Sequence, residues 1–328
     1  MRLVSLALVV AMFAVTGCGG SNGGGGGGSG GTGGGGTGGT GGGGTGGSGG
    51  GGTGGSGGGG GSTNPNVVSI QTQPFMVAPG QEVFFCQDFA NPFGGVDQEV
   101  SEIDSTMTPG SHHMILFYQN NATDTNVATC PALQFQTMLF GSQSPTSQMT
   151  YPTGVAALVK GTQGFHMQMH YLNATQQPIT AVVTISFTKS TPGTIQQHAG
   201  VFFLNNATGI AVPAGMTQDV SLSYSFKQAV NIIFATEHTH KFTENFQASI
   251  GGNMVYQSTA WDNPPNMQFA PALAVPSGTQ VSWTCTIHNT NPSGTLTFGE
   301  SALNNDMCIF DGQYYPADDA NPTIEFQH

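Results

Sequence analysis

Phe165-His166-Met167-Gln168-Met169-His170-Tyr171 alternates without a break. On an extended chain, residues two apart point the same way. Phe165, Met167, Met169 and Tyr171 therefore line one face, and His166, Gln168 and His170 line the other. A polar face on such a strand looks into water or into a site. Working outward, short apolar runs recur between turn signals. Residues 67–70, 75–77, 81–86, 112–118, 151–160, 179–188, 199–204, 220–226, 229–235, 246–250, 281–287 and 294–298 read as strands. Pro79-Gly80, Pro109-Gly110, Pro213-Ala214-Gly215 and Asn263-Pro264-Pro265-Asn266 read as turns. Residues 133–140 read equally as strand or short helix. Long helical periodicity is absent, so the expected fold is all-β, with a sandwich in each half. Ser190-Thr191-Pro192-Gly193 follows a strand and carries turn residues. It divides the body into residues 64–189 and 190–328.

The body is preceded by two other segments. Met1-Arg2 and the apolar run to Val15 are too short to span a membrane as a helix and read as a signal peptide, residues 1–18. Val15-Thr16-Gly17-Cys18 resembles a bacterial lipobox, with Cys18 as the lipidated residue. Residues 19–63 are almost all Gly, Ser and Thr. Such a segment has nothing to bury and is expected to be a disordered tether spanning on the order of 35–40 Å. The implied location is the bacterial cell envelope, with a lipid anchor as the sole membrane attachment. Gly19 after the lipidated Cys leans toward the outer membrane.

Formal net charge is −12, with five basic residues in all. The only Arg is Arg2, inside the signal; Lys160, Lys189, Lys227 and Lys241 complete the set. Nucleic acid and anionic lipid need a basic footprint that this chain lacks. An anionic substrate would find no bidentate guanidinium. Beyond Cys18, the cysteines are Cys86, Cys130, Cys285 and Cys308, an even number in an exported chain. Three disulfide pairings are possible. The sequence-local one, Cys86 with Cys130 and Cys285 with Cys308, keeps one staple in each half.

Several histidines have ligand spacing. His238 and His240, two apart at the end of an apolar strand, project from one face. His112 and His113 are adjacent, so both reach one metal only if the backbone bends there, as at a strand start or bulge. His170 would be a third nitrogen for that pair. A three-His set suits copper, zinc, iron or nickel. Met307, beside Cys308, is a candidate third ligand for His238 and His240. A thioether is a soft donor, so a Met307 ligand would make the metal copper. His166 shares the face of Gln168 and His170; His198, His288 and His328 read as structural or surface residues.

In order, His112-His113-Met114-Ile115-Leu116-Phe117, Gln168-Met169-His170-Tyr171, His238-Thr239-His240 and Asp306-Met307-Cys308 resemble the type II copper, ascorbate-dependent monooxygenases. That family includes peptidylglycine α-hydroxylating and dopamine β-monooxygenases. The resemblance spans residues 67–316. It implies two tandem jelly-roll-like β-sandwiches with two coppers per chain, one on each domain, facing across a solvent-filled cleft. His112, His113 and His170 would hold the electron-transfer copper. His238, His240 and Met307 would hold the catalytic one, where O2 and a small organic substrate meet. Gln168 would line the cleft and contact the cofactor. Ascorbate or another one-electron donor would be co-substrate, and the two local disulfides would match family disulfides.

The chain also departs from the family. Thr236 stands where peptide-acting members carry a carboxylate-binding Arg, and Ile309-Phe310-Asp311 replaces their aromatic and amide positions. Tyr314-Tyr315-Pro316 resembles the amine-acting members instead, and Glu237 and Asp311 would suit a cationic substrate. Two other functions compete. One is a non-catalytic copper-binding envelope lipoprotein of the same fold. The other is a zinc hydrolase using three histidines and a water.

Overall fold

The computed structural model describes residues 64–130 and 136–327. The signal, Cys18, the Gly-rich tether, part of residues 133–140 and His328 lie outside the described residues. Among the described residues the chain is all-β, with no α-helix. It forms two tandem jelly-roll-like sandwiches.

The first sandwich packs two sheets. One has the order Val67–Gln71, Val183–Lys189, Gln98–Met107, Val155–Val159, Gln197–His198, with Thr146–Thr150 also on Gln98–Met107. The other has the order Ala128–Thr129, Glu82–Phe89, Gln163–Leu172, Ser111–Asn120, Met138–Ser142. Their core includes Ile103, Ile185 and Phe187 from one sheet and Leu116, Phe165, Met167 and Tyr171 from the other. The apolar face of the 165–171 stretch is thus the core face, as alternation requires.

The second sandwich sets the sheet Met267–Val275, Val230–Thr239, Cys308–Tyr315, Gly200–Asn205, Thr323–Gln327 against Thr217–Ser225, Gln280–His288, Thr243–Ile250, Asn253–Ser258. Phe202, Leu204, Ile232, Phe246, Trp283 and Phe310 meet in its core. The hand-over between sandwiches falls after the Ser190–Gly193 turn. Gln197–His198 still pairs in parallel with Val155–Val159 on the edge of the first sandwich, and Gly200–Asn205 already belongs to the second.

Both local disulfides form, Cys86–Cys130 and Cys285–Cys308. Cys308–Tyr315, at the centre of the second sandwich, was not among the strands read from sequence. Its Asp311-Gly312 pair sits mid-strand. A Cβ at Gly312 would come within 2.1 Å of the Phe234 carbonyl oxygen, opposite the register shift between Ile232 and Phe234. Here glycine permits close backbone approach across a bulge.

The two five-stranded sheets turn their outer faces to each other. Phe117 and Met138 of the first meet Val201, Phe203, Met307 and Ile309 of the second in a separate apolar cluster. Burying such side chains is worth about 1.5–3 kcal/mol each as an upper estimate. This seam carries the candidate site.

Candidate metal centre

The adjacent pair His112-His113 reaches one site through a bulge. His170 pairs with His113 and Tyr171 with Ser111, so His112 is left over in the ladder. The extra residue turns the backbone, and both rings come to the same place, 5.2 Å apart between centroids. His170, directly across from His113, lies 5.0 Å away. His238 and His240 project from the end of Val230–Thr239 with rings 5.2 Å apart.

The expected solvent-filled cleft between two separate coppers is not what this structure holds. The seam is closed, and the two sets form one cluster. His113 lies 4.8 Å from His238, and His112 lies 4.9 Å from His238 and 5.1 Å from His240. Two overlapping triads can each gather ligand atoms within 4.8 Å: His112, His113, His170 and His112, His238, His240. His112 belongs to both. All five are buried, none more than 8% exposed. The physical cause is the apolar seam: the sheet faces that carry the histidines also carry Ile115, Phe117, Phe203 and Ile309, which exclude water when they meet.

Burial sets the charge state. It pushes the pKa of His112, His113 and His238 well below the ordinary value, and the neighbouring imidazoles add to this. It also lowers His170, against the opposing pull of Glu82, and brings His240 to about 4. The cluster is therefore neutral, the state in which imidazole binds a metal.

The hydrogen bonds are one-sided. His170 Nε2 meets Glu82 Oε1 at 2.9 Å, His238 Nδ1 meets Gln143 Oε1 at 2.7 Å, and His240 Nδ1 meets the Asn305 carbonyl at 3.1 Å. Each partner is an acceptor, so each of these nitrogens carries the proton. The opposite nitrogens of His170 and His240, and both nitrogens of His112 and His113, are buried without a hydrogen bond of good geometry, Gln168 approaching only His113. An orphaned buried nitrogen costs about 1–3 kcal/mol. Such nitrogens gathered at one place, those of His170 and His240 opposite fixed N–H groups, form a donor set a metal ion satisfies.

Met307 is buried in the seam cluster and lines a cavity beside the histidines. His113, His238, Gln143, Met138 and Asp311 line the same cavity, and no Lys or Arg does. Asp306 organises the ligand backbones. Its Oδ1 accepts the N–H groups of His240 and Met307, each at 2.8 Å, and Oδ2 accepts the Thr243 hydroxyl at 3.0 Å. Gln168 is buried on the face of His170, its Oε1 without a hydrogen bond. Glu237 does not face the cavity. It points to the other side of its strand, where burial raises its pKa to about 8. Of the two carboxylates suited to a cation, only Asp311 lines the cavity, and burial raises it to about 7.

The remaining described histidines serve elsewhere: His166 pairs with Asp88, His198 with Asp319 and Glu99, and His288 with Glu244. Sequence reasoning missed Glu82, Gln143 and Trp261. None has a spacing that marks it, because each reaches the site through tertiary contacts. The half-buried Trp261 ring stands 5.6 Å from His112. The chain's other tryptophan, Trp283, is buried in the second core, its indole N–H donating to the Cys308 carbonyl at 3.2 Å. Cu(II) at the cluster will therefore quench Trp261 fluorescence, and Trp261→Phe will remove most of the quenching. Equal quenching in that variant would place the ion elsewhere.

No family model matches the chain, and no curated protein matches it by sequence. Solved structures align over about three quarters of it at low identity. The STIV MCP matches at 8% identity and TM-score 0.36, covering 76% of this chain and 97% of that one. The major capsid protein P2 from bacteriophage PM2 matches at 8% and 0.31, covering 78% and 99%. A peptide-N(4)-(N-acetyl-β-D-glucosaminyl) asparagine amidase matches at 10% and 0.32, covering 76% and 96%. None of these likenesses bears on what this chain does.

Proposed function

We propose that the chain is a copper-dependent monooxygenase that hydroxylates an activated C–H of a small organic substrate, using O2 and a one-electron donor such as ascorbate. The observation that carries this reading is the set of buried, neutral imidazoles with unpaired nitrogens, beside a cavity that a thioether also lines. His112, His113, His170, His238 and His240 would hold copper, and Met307 supplies the soft donor that favours Cu(I) over zinc. Bound copper supplies the one-electron steps by which O2 and two reducing equivalents give a hydroxylated product and water.

The chain's own residues bind, orient and exclude water. Met138, Ile115 and Phe203 give the cavity an apolar wall, and Gln143, Asn266 and Asp311 give it polar contacts. With no cationic side chain in the lining, a substrate carboxylate has no partner there, which argues against a peptide C-terminus. Lipid anchoring through Cys18 would place this chemistry in the bacterial cell envelope.

The burial of all five histidines favours a second reading, a non-catalytic copper-binding envelope lipoprotein. Oxygen uptake by the copper-loaded protein with ascorbate, across a panel of amines and neutral aromatics, separates the two. Uptake matched by hydroxylated product supports the enzyme. Copper retained without coupled uptake leaves the binding protein. Zinc as the tightly held metal would sink both.

A further inference from the structure

Glu82 and Gln143 lie outside every ligand motif, yet each grips a cluster histidine, and each is also tied to the second sandwich. Glu82 opens the strand Glu82–Phe89, two residues before Phe84, whose ring stacks on His170 at 3.9 Å. Its Oε1 accepts His170 Nε2–H at 2.9 Å and the Ala302 N–H at 2.6 Å, and its Oε2 accepts the Ser301 hydroxyl at 2.7 Å. Ser301 and Ala302 belong to the second sandwich, more than two hundred residues away in sequence. Oε1 already accepts the Ala302 N–H, so it faces His170 as an acceptor, and His170 keeps its proton on Nε2 and presents Nδ1.

Gln143 does the same for His238 from the opposite side of the seam. It follows the strand Met138–Ser142 of the first sandwich. Its amide N–H donates to the Glu237 carbonyl, which fixes which end of the carboxamide faces the ring. Oε1 therefore faces His238 Nδ1, which must carry the proton, and Nε2 is the free nitrogen.

We infer that Glu82 and Gln143 are positioning residues. Each holds one imidazole in the tautomer that frees its metal-facing nitrogen, through contacts that also dock the two sandwiches, so ligand orientation and domain docking are one event. This rests on the metal-site reading above. Conserving the acceptor is what matters. Gln143→Glu keeps an oxygen on His238 Nδ1, whereas Gln143→Leu keeps the bulk and loses the acceptor.

The test uses the full chain, with copper as the probe and two independent readouts. In the metal-free protein, ¹⁵N-histidine NMR should report an Nε2–H tautomer for His170 and an Nδ1–H tautomer for His238. Gln143→Leu should change His238 alone, and Glu82→Leu should change His170 alone. Chelator competition should show copper affinity reduced about 10–100-fold in each Leu variant. Gln143→Glu should return it to within a few-fold of wild type. X-ray absorption should show one imidazole fewer in Gln143→Leu. Copper binding with the reversed tautomers would overturn the positioning role alone. Equal losses in Gln143→Leu and Gln143→Glu would reduce Gln143 to a packing residue. The stated tautomers without copper binding by the wild type would overturn the metal-site reading, and this inference with it.

Discussion

The metal-free protein will be most stable near pH 6.5 and will lose stability on both sides. The five cluster histidines have pKa values pushed below the ordinary 6.5 by burial, and all but His170 also by neighbouring imidazoles. For a depressed histidine, the unfolded chain binds more protons between the folded and unfolded values. Stability then rises with pH across that window and is complete above 6.5. Five carboxyls oppose this, three of them strongly. Burial raises Glu237 to about 8, Asp306 and Asp311 to about 7, and Asp104 and Glu300 by less. A raised carboxyl holds its proton in the folded state, so its contribution is lost as pH climbs through that value. Below pH 6.5 five depressed histidines act against three strongly raised carboxyls, so stability rises with pH up to about 6.5. Above 6.5 only the carboxyls titrate, and the slope reverses. Urea midpoints at pH 5.5, 6.5 and 8, with a chelator present, will trace this maximum. A profile that is flat or rises steadily through pH 8 would show that the cluster is not buried and neutral. Copper will shift the balance, because protons compete with it for the same nitrogens, and its affinity will fall on the acid side.

His112→Ala will cost more copper than loss of any other cluster histidine. His112 is the residue common to both triads, with four imidazoles around it at 4.9 to 5.2 Å. Structural zinc sites bind with about 10–16 kcal/mol over four ligands, about 3 kcal/mol each, and a loss of that order is about a hundredfold in affinity. For His170→Ala or His240→Ala that loss should fall on one copper equivalent. For His112→Ala it should fall on both. His166→Ala is the control, since His166 is paired with Asp88 and belongs to neither triad. Copper per chain after gel filtration and affinity by chelator competition give the comparison. A His112→Ala protein that still holds two coppers at wild-type affinity would mean two independent sites, and a seam that opens in solution.

Much of the fold is legible in local pattern. Alternation in residues 165–171 requires a strand with one apolar face, and that face is the core of the first sandwich. The pair His112-His113 calls for a bend if both are to reach one site, and the ladder skips His112 there. The local disulfide pairing is the one that forms. Cys308–Tyr315 was illegible because Asp-Gly signals a turn wherever backbone sterics are unknown. The Phe234 carbonyl, brought opposite by a bulge, and the Phe202 ring explain that glycine.

Sequence alone determined which side chains share a strand face, because side-chain direction has a period of two residues and needs no partner to be known. It thereby determined the all-β class, the histidine pairs and the polar face of Gln163–Leu172. Only the tertiary structure decided what that face meets. Whether a polar face looks into water or onto another sheet depends on apolar residues far along the chain. Ile115 and Phe117 find Phe203 and Ile309 only when both sandwiches exist. That closure brings His113 to His238, leaves the nitrogens unpaired and hands Glu82 and Gln143 their histidines.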